Sequence, residues 1–248
     1  MKPIKLLFVS LLLLVGGLST ATAETIRIAT EGAYPPFNMK NAGGELIGFD
    51  VDIAKALCAE MNADCEIVAQ DWDGIIPGLL AKKYDAIIAS MSITPERMQK
   101  VDFTKPYYSN YLRFMAAKDK GVMVDKLKGK TLGAQRATIA AQHLEDNYRK
   151  DADIKVYDTQ EAAYLDLKSG RIDALLSDIY PAHDWLQQAG NDGYGFVGDS
   201  IDIDDKIGIA VRKGDGDLKN KLNAALQAIR ANGTYKKINA KYFPFDIY

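Results

Sequence analysis

The chain has 248 residues, among them 31 lysines and arginines, 33 aspartates and glutamates, and two cysteines. Without its first 23 residues, which carry two lysines and no acid, the net charge is −4. An acidic chain of this kind argues against nucleic acid or an anionic membrane surface as a partner.

The N-terminus has the order of a secretory signal peptide. Lys2 and Lys5 precede an apolar run over 6–18, and the small residues of 21–23 follow. We predict a signal peptide over 1–23, cleaved after Ala23. The apolar run is too short for a permanent membrane helix, and no later segment reaches about 18 apolar residues. No cysteine lies at the cleavage site to carry a lipid anchor, so we expect a soluble, diffusible periplasmic protein.

Alternation and helical spacing predict a first α/β series. Its elements are a strand over 25–30, a helix over 49–61, a strand over 65–69, a helix over 71–81 and a strand over 85–89. Thr94 is a natural N-cap for a further helix, because Pro95 takes the first helical position. Alternating strands and helices predict a parallel sheet covered by helices.

A second series follows an extended segment over 111–117. It contains a strand over 131–135, a helix that begins near Thr138 and another helix capped by Thr159. Beyond 200–205, a strand over 206–211, a helix over 217–231 and a helix ending at 242 are too little for a third domain. We therefore assign 24–110 and 203–248 to lobe 1 and 111–202 to lobe 2, with a hinge at the two crossings.

A twelve-residue pattern recurs in the chain. Residues 79–90 and 167–178 align without a gap at an offset of 88, and both predict a helix end, a turn and a short apolar strand. Ser90 and Asp178 would then lie at equivalent strand ends, where ligands of open α/β sheets bind. Helix-turn-strand patterns also recur by chance in α/β proteins, so true duplication stays open.

The two cysteines, Cys58 and Cys65, predict a disulfide, because pairing is the simplest state of two cysteines in an exported protein. A zinc site is the weaker alternative, since the only histidines, His143 and His183, are not near the pair in sequence. We expect no metal and no cofactor.

Two further motifs are rejected as sites. The glycines of 193–198 match a dinucleotide fingerprint in letters only, because they do not lie between a strand and a helix. Asp202, Asp204 and Asp205 lack the glycine and distal glutamate of a calcium loop, so we interpret them as a solvated acidic turn. No G-x-S-x-G elbow is present.

The segment 90–97 gathers hydroxyl groups, helix N-terminal amides and a guanidinium at one strand end. Arg97 can bind a carboxylate through two parallel hydrogen bonds, and the helix start adds N–H donors. Asp178, at the matching position of the other repeat, can accept a hydrogen bond from a cation. Such a pair suits the zwitterionic head of a free amino acid, whereas a capped helix with a surface arginine is the alternative interpretation.

Several segments together form a family pattern that spans nearly the whole exported chain. They are TEGAYPPF at 30–37, GFDVD at 48–52, DWDGIIP at 71–77, SITPER at 92–97 and the C-terminal GTYKKI and KYF. These segments resemble the periplasmic polar amino-acid-binding proteins of ABC importers, and in particular the lysine/arginine/ornithine- and histidine-binding branch with its opine-binding relatives. The resemblance implies the type II periplasmic binding protein fold, with two α/β lobes around a ligand cleft.

The resemblance also implies how the head of the ligand is held. Arg97 would bind the α-carboxylate with help from the backbone N–H groups of Ser92 and Ile139. The α-ammonium would meet Asp178, the carbonyl of Ser90 and the hydroxyl of Ser92.

For the ligand side chain, the resemblance implies that Tyr34 and Trp72 flank it and that Glu31 lies at its far end. Aromatic rings around a guanidinium or ammonium contribute about 0.5 to 2 kcal/mol each. Thr138 lies in the same predicted wall, as does Ala89, where binders of cationic ligands often have serine.

The loop 135–139 departs from the family, which usually shows a glycine and two hydroxyl residues there. It reads Gln-Arg-Ala-Thr-Ile, and a positive charge at Arg136 opposes a preference for cationic side chains.

The sequence thus predicts a monomeric binding protein that captures arginine, lysine, ornithine or histidine and delivers it to an inner-membrane ABC permease. A periplasmic enzyme on the same scaffold, such as a cyclohexadienyl dehydratase, is an alternative because fold does not determine function. Glu31 is the one candidate acid or base for it. An opine-binding protein and a receptor's ligand-sensing module are further alternatives.

Overall fold

A computed structural model describes residues 25–248, so the predicted signal peptide lies outside the described residues. The chain forms two five-stranded sheets flanked by helices, and a small three-stranded sheet beside the first of them. Within 25–248, no helix combines the length and the apolar character needed to cross a membrane.

The first part of the chain builds most of the first sheet. Its elements are β1 (Ile26–Thr30), β2 (Ala33–Tyr34), β3 (Asn38–Lys40), β4 (Leu46–Ile47), α1 (Phe49–Glu60), β5 (Cys65–Ala69), α2 (Trp72–Leu80), β6 (Ala86–Ile87), α3 (Pro95–Lys100) and β7 (Val101–Phe103). The small antiparallel sheet β2–β3–β4 has no counterpart in the predicted elements. The strand predicted over 85–89 is shorter than expected, because only Ala86 and Ile87 pair with β1.

The middle of the chain builds the second sheet, and the last segment returns to the first. The elements are β8 (Tyr108–Ala117), β9 (Thr131–Gln135), α4 (Ile139–Tyr148), β10 (Asp153–Tyr157), α5 (Gln160–Lys168), β11 (Ala174–Asp178), α6 (Ile179–Gln187), β12 (Tyr194–Ile207), β13 (Ala210–Arg212), α7 (Gly216–Ala231) and α8 (Thr234–Tyr242).

The two sheets have the same strand arrangement. The first sheet has the order β5-β1-β6-β13-β7 and the second the order β10-β9-β11-β8-β12. In both, the first three strands are parallel and the last two are antiparallel to their neighbours. The duplicated segments contribute the third strand of each sheet, β6 and β11. The expectation of two similar α/β lobes is therefore confirmed.

The chain crosses between the sheets twice, on neighbouring segments. It passes from β7 into β8, and it returns from β12 into β13 through Gly208 and Ile209. The single strand predicted over 206–211 is wrong, because its first residues pair with β8 while its last ones pair with β6 and β7. A Cβ on Gly208 would lie 2.8 Å from the Ile93 side chain, so a larger residue at this crossing would require Ile93 to shift.

Local signals set the helix starts as predicted. The hydroxyl oxygens of Thr94, Thr138 and Thr159 accept hydrogen bonds from the backbone N–H groups three residues later. Each cap satisfies a donor that has no partner inside its helix. The first two caps border the cleft between the lobes.

A disulfide joins Cys58 in α1 to Cys65 at the start of β5, with 6.2 Å between their Cα atoms. The prediction from the two cysteines is confirmed. The bond ties the end of a helix to the edge strand of the first sheet.

Candidate functional site

A cavity lies between the two lobes, at the carboxyl ends of their strands. It contains about 300 Å³ of space free of protein atoms, part of which is open to solvent. All ten residues of the predicted site line it, together with one that was not predicted, Gln135. The predicted residues are Glu31, Tyr34, Trp72, Ala89, Ser90, Ser92, Arg97, Thr138, Ile139 and Asp178.

Arg97 is held at one end of the cavity by both lobes. Its Nη1 donates to the carbonyl of Ser92 (2.9 Å) and its Nη2 to the carbonyl of Ala137 in lobe 2 (2.9 Å). The guanidinium also lies over the Trp72 ring, 5.3 Å from its centroid. Helix α4 begins close by at Ile139, and the backbone N–H of Ile139 has no acceptor within the helix. This end of the cavity can therefore bind an anion.

Asp178 ends β11 on the opposite wall. Its Oδ2 accepts a hydrogen bond from the Tyr34 hydroxyl of lobe 1 (2.6 Å). Desolvation in the cleft and the charge of nearby Asp205 raise the pKa of Asp178 to about 7, although hydrogen bonds from Tyr34 and Asn110 oppose the shift. A cation placed here would restore the charged form of the carboxyl group.

Asp205 belongs to this cluster, and the solvated acidic turn predicted for it is wrong. It is 5% exposed and accepts from the Asn110 amide (2.8 Å), because β12 places it directly opposite Asn110 of β8. Asn110 Oδ1 is enclosed without a donor within 25–248. Asp202 and Asp204 are exposed, and the described residues hold no cluster suited to a metal ion.

Glu31 and Gln135 meet at the other end of the cavity. Gln135 Nε2 donates to Glu31 Oε1 across the cleft (2.7 Å). Glu31 is 7% exposed and has no cationic partner among the residues described. Burial, and to a smaller extent Asp71 and Asp73, raise its pKa to about 7 against the hydrogen bond from Gln135. The matching strand order of the two sheets points to Gln135, because β9 ends there and β1, the corresponding strand of the first sheet, ends beside Glu31.

Two aromatic residues of lobe 1 form the sides of the cavity. Trp72 is 9% exposed, and its Nε1 donates to the carbonyl of Ala137 (3.3 Å). Tyr34 is 6% exposed and stacks on Phe37 with 6.3 Å between ring centroids. Both rings are therefore held in place by contacts of their own.

A buried acid supports the cavity wall at Ser90. Ser90 adopts a left-handed φ of 52°, which is strained for a residue with a side chain. Its hydroxyl donates to Asp50 Oδ2 (3.0 Å), and Asp50 also accepts from Asn38 (3.0 Å) and Tyr107 (2.6 Å). Burial raises the pKa of Asp50 to about 6 against these hydrogen bonds. The network fixes the strand end that presents Ser90 to the cavity.

Arg136 does not line the cavity. It pairs with Asp73 of lobe 1 (3.2 Å) and with Asp158, and its side chain is 47% exposed. Two carboxylates therefore pair with Arg136 outside the cavity.

Two matching α/β lobes around one small charged cavity define a two-lobed solute-binding protein. The chain belongs to the bacterial extracellular solute-binding proteins of family 3, which it matches over residues 26–245.

Individual proteins show the same relationship. An L-arginine-binding protein of Pseudomonas aeruginosa is 43% identical over 236 residues, which cover 92% of this chain and 91% of that protein. The solved structure of an ancestral arginine-binding protein bound to arginine is 38% identical, with a TM-score of 0.83 over 88% of this chain and 98% of the other. An ancestral amino acid-binding protein, a precursor of cyclohexadienyl dehydratase, is 32% identical, with a TM-score of 0.79 over 88% and 95%.

Proposed function

We propose that this protein captures one free L-amino acid with a cationic side chain in the periplasm and delivers it to an inner-membrane ABC permease. One observation carries the proposal: a single cavity has a cation and an acid at one end, Arg97 and Asp178, and an unpaired acid, Glu31, at the other. Arginine, lysine, ornithine and histidine match that order of charges. Two of the relatives reported above are named as arginine-binding proteins, and this supports the same ligand class.

The charge balance of the cavity favours a cationic ligand over a neutral one. Among residues 25–248, three acids lie at or beside the cavity, Asp178, Glu31 and the neighbouring Asp205, and Arg97 is the one cation that lines it. The carboxylate of the ligand pairs with Arg97, and its α-ammonium pairs with Asp178. Glu31 then remains buried without a charge partner, and a cationic side chain supplies one.

Contacts across the cleft support capture by closure of the lobes. Three side chains of lobe 1 donate hydrogen bonds to lobe 2: Tyr34 donates to Asp178, and Trp72 and Arg97 donate to the carbonyl of Ala137. Opening at the two crossings would break these hydrogen bonds together and admit the ligand. We propose that the protein works as a monomer, since one chain supplies both walls of the cavity.

A thermal-shift screen of the exported, refolded and ligand-stripped protein against the twenty amino acids, ornithine and octopine tests the proposal. Ligand at 100 times its dissociation constant stabilises a binding protein by about 2.7 kcal/mol. We expect the largest shifts with cationic amino acids. A largest shift with a neutral or acidic amino acid, or with octopine, would contradict the ligand class, and no shift with any of them would contradict amino-acid binding.

An enzyme on this scaffold is the second candidate, because the pKa of the buried Glu31 is about 7, which suits a general acid or base. The same protein incubated with prephenate or arogenate tests it by product analysis, with Glu31→Gln as the control. We expect no turnover. Product formation that is lost in Glu31→Gln would favour the dehydratase.

A further inference from the structure

Two polar groups of Ser90 face away from the cavity, into a buried network. The hydroxyl donates to Asp50 Oδ2 (3.0 Å), and the backbone N–H donates to the Tyr107 hydroxyl (3.3 Å), which itself donates to Asp50 Oδ1 (2.6 Å). Asp50 is 0% exposed and lies in the first turn of α1, where the helix N-terminus favours a carboxylate. Asp50 therefore holds Ser90 at two points, once directly and once through Tyr107.

The carbonyl is the polar group of Ser90 that this network leaves free. Among the backbone hydrogen bonds of residues 25–248, none reaches the Ser90 carbonyl, and Ser90 lines the cavity. The φ of 52° at Ser90 is a backbone conformation that a residue with a side chain rarely adopts. Such a conformation persists only where its surroundings impose it. A Ser90 released from Asp50 would relax to a negative φ, and its carbonyl would turn to a new direction.

We infer that Asp50 is a positioning residue that directs the Ser90 carbonyl of lobe 1 toward the α-ammonium of the ligand, an inference that rests on the proposed function. An ammonium has three N–H donors, and Asp178 of lobe 2 already accepts from the Tyr34 hydroxyl. A carbonyl on the opposite wall supplies the ammonium with a second acceptor. Loss of Asp50 would remove this acceptor, whereas the partner of the ligand carboxylate, Arg97, would stay in place.

The variant Asp50→Asn tests the inference, because it keeps the shape of the side chain but offers one oxygen to the three donors that Asp50 satisfies. Asp52→Asn is the matched control. Asp52 also lies on α1, accepts from Lys241 (2.7 Å) and Tyr242 (2.8 Å), and is not among the residues that line the cavity.

Each amino acid is compared with its counterpart that lacks the α-amino group. The pairs are L-arginine with 5-guanidinopentanoate and L-lysine with 6-aminohexanoate. Displacement titrations of the ligand-stripped full chain measure all four affinities, at pH 8 because Asp50, whose pKa is about 6, is ionised there.

We expect Asp50→Asn to weaken the amino acids by roughly 10-fold or more and the deaminated counterparts by roughly twofold or less, because only an α-ammonium loses a hydrogen bond to the Ser90 carbonyl. The affinity ratio within each pair should therefore fall by roughly fivefold or more. Asp52→Asn should leave the ratio unchanged. A merely structural role of Asp50 would weaken both members of a pair alike, so an unchanged ratio in Asp50→Asn would overturn the inference.

Ser90→Ala is a second variant, which removes the hydroxyl that Asp50 holds and leaves the acid in place. The same fall in the ratio is expected, and this variant decides if circular dichroism shows that Asp50→Asn does not fold. If the deaminated counterparts do not displace the amino acids even from the native protein, the double variant Asp50→Asn/Ser90→Ala decides. Because Asp50 acts through Ser90, the double variant should lose less affinity than the product of the two single effects, and effects that multiply in full would overturn the inference.

The native protein separates the inference from the proposed function. Failure of the native protein to bind any cationic amino acid would refute the proposed function itself. Native binding of arginine or lysine, with an unchanged ratio in Asp50→Asn, would refute only the role of Asp50.

Discussion

The affinity for arginine should fall more steeply on acidification than the affinity for glutamine. The pKa of Glu31 is about 7, raised mainly by burial, and a bound guanidinium pairs with the ionised carboxylate. About half of Glu31 is ionised at pH 7 and roughly 1% at pH 5. Over this interval the loss of the charged form weakens arginine by roughly 50-fold, or about 2.3 kcal/mol. Glutamine does not require the charge, so it escapes this loss.

The arginine-to-glutamine ratio isolates Glu31 from the other acids of the cavity. Asp178, whose pKa is also about 7, meets the α-ammonium of both ligands, so its protonation weakens both and cancels in the ratio. Calorimetric titrations at pH 5, 6, 7 and 8 measure the two affinities. Glu31→Gln serves as the control, and its ratio should not depend on pH. If the native ratio is the same at pH 5 and pH 7, Glu31 does not meet the side chain of the ligand.

Three further predictions concern stability and the head-group site. The ligand-free protein should lose stability as the pH rises from 4.5 to about 7, because the folded chain holds the Glu31 proton that the unfolded chain releases near 4.5. Glu31→Gln should flatten the dependence of Tm on pH, and an undiminished slope would argue against this origin. Arg97→Ala and Asp178→Ala should each weaken every amino-acid ligand by about 2 to 5 kcal/mol, because a ligand charge is left buried without its partner. Calorimetry that finds near-native affinity in either variant would disprove the assigned head-group site. Reduction of the bond between Cys58 and Cys65 should lower the free energy of unfolding by roughly 2 to 3 kcal/mol, measured in urea with and without reductant; equal midpoints would contradict it.

Much of the fold was predictable because its signals are local. Periodicity located every helix except α6 and about half of the strands, and the hydroxyls of Thr94, Thr138 and Thr159 marked helix starts that the structure retains. The prediction of a single strand over 206–211 was wrong because strand pairing is not a local property. Its residues have strand character throughout, but they pair with two different sheets, and no local pattern records where a strand changes its partner.

At the site, the sequence by itself determined which charged and polar residues lie at the strand ends. The two similar segments indicated Ser90 and Asp178, the segment 92–97 indicated Arg97, and family resemblance indicated the remaining residues that line the cavity, except Gln135. These residues lie within or next to recognisable local sequence patterns, so short stretches of sequence were enough to identify them.

Only the tertiary structure decided which groups face one another across the cleft. Gln135 meets Glu31 although 104 residues separate them in the chain, and Asp205 is buried because β12 pairs it with Asn110. Arg136 is neutralised because Asp73 approaches from the other lobe. The environment of a charge depends on strand pairing and on the approach of the lobes, and both are set by packing between residues that are distant in sequence.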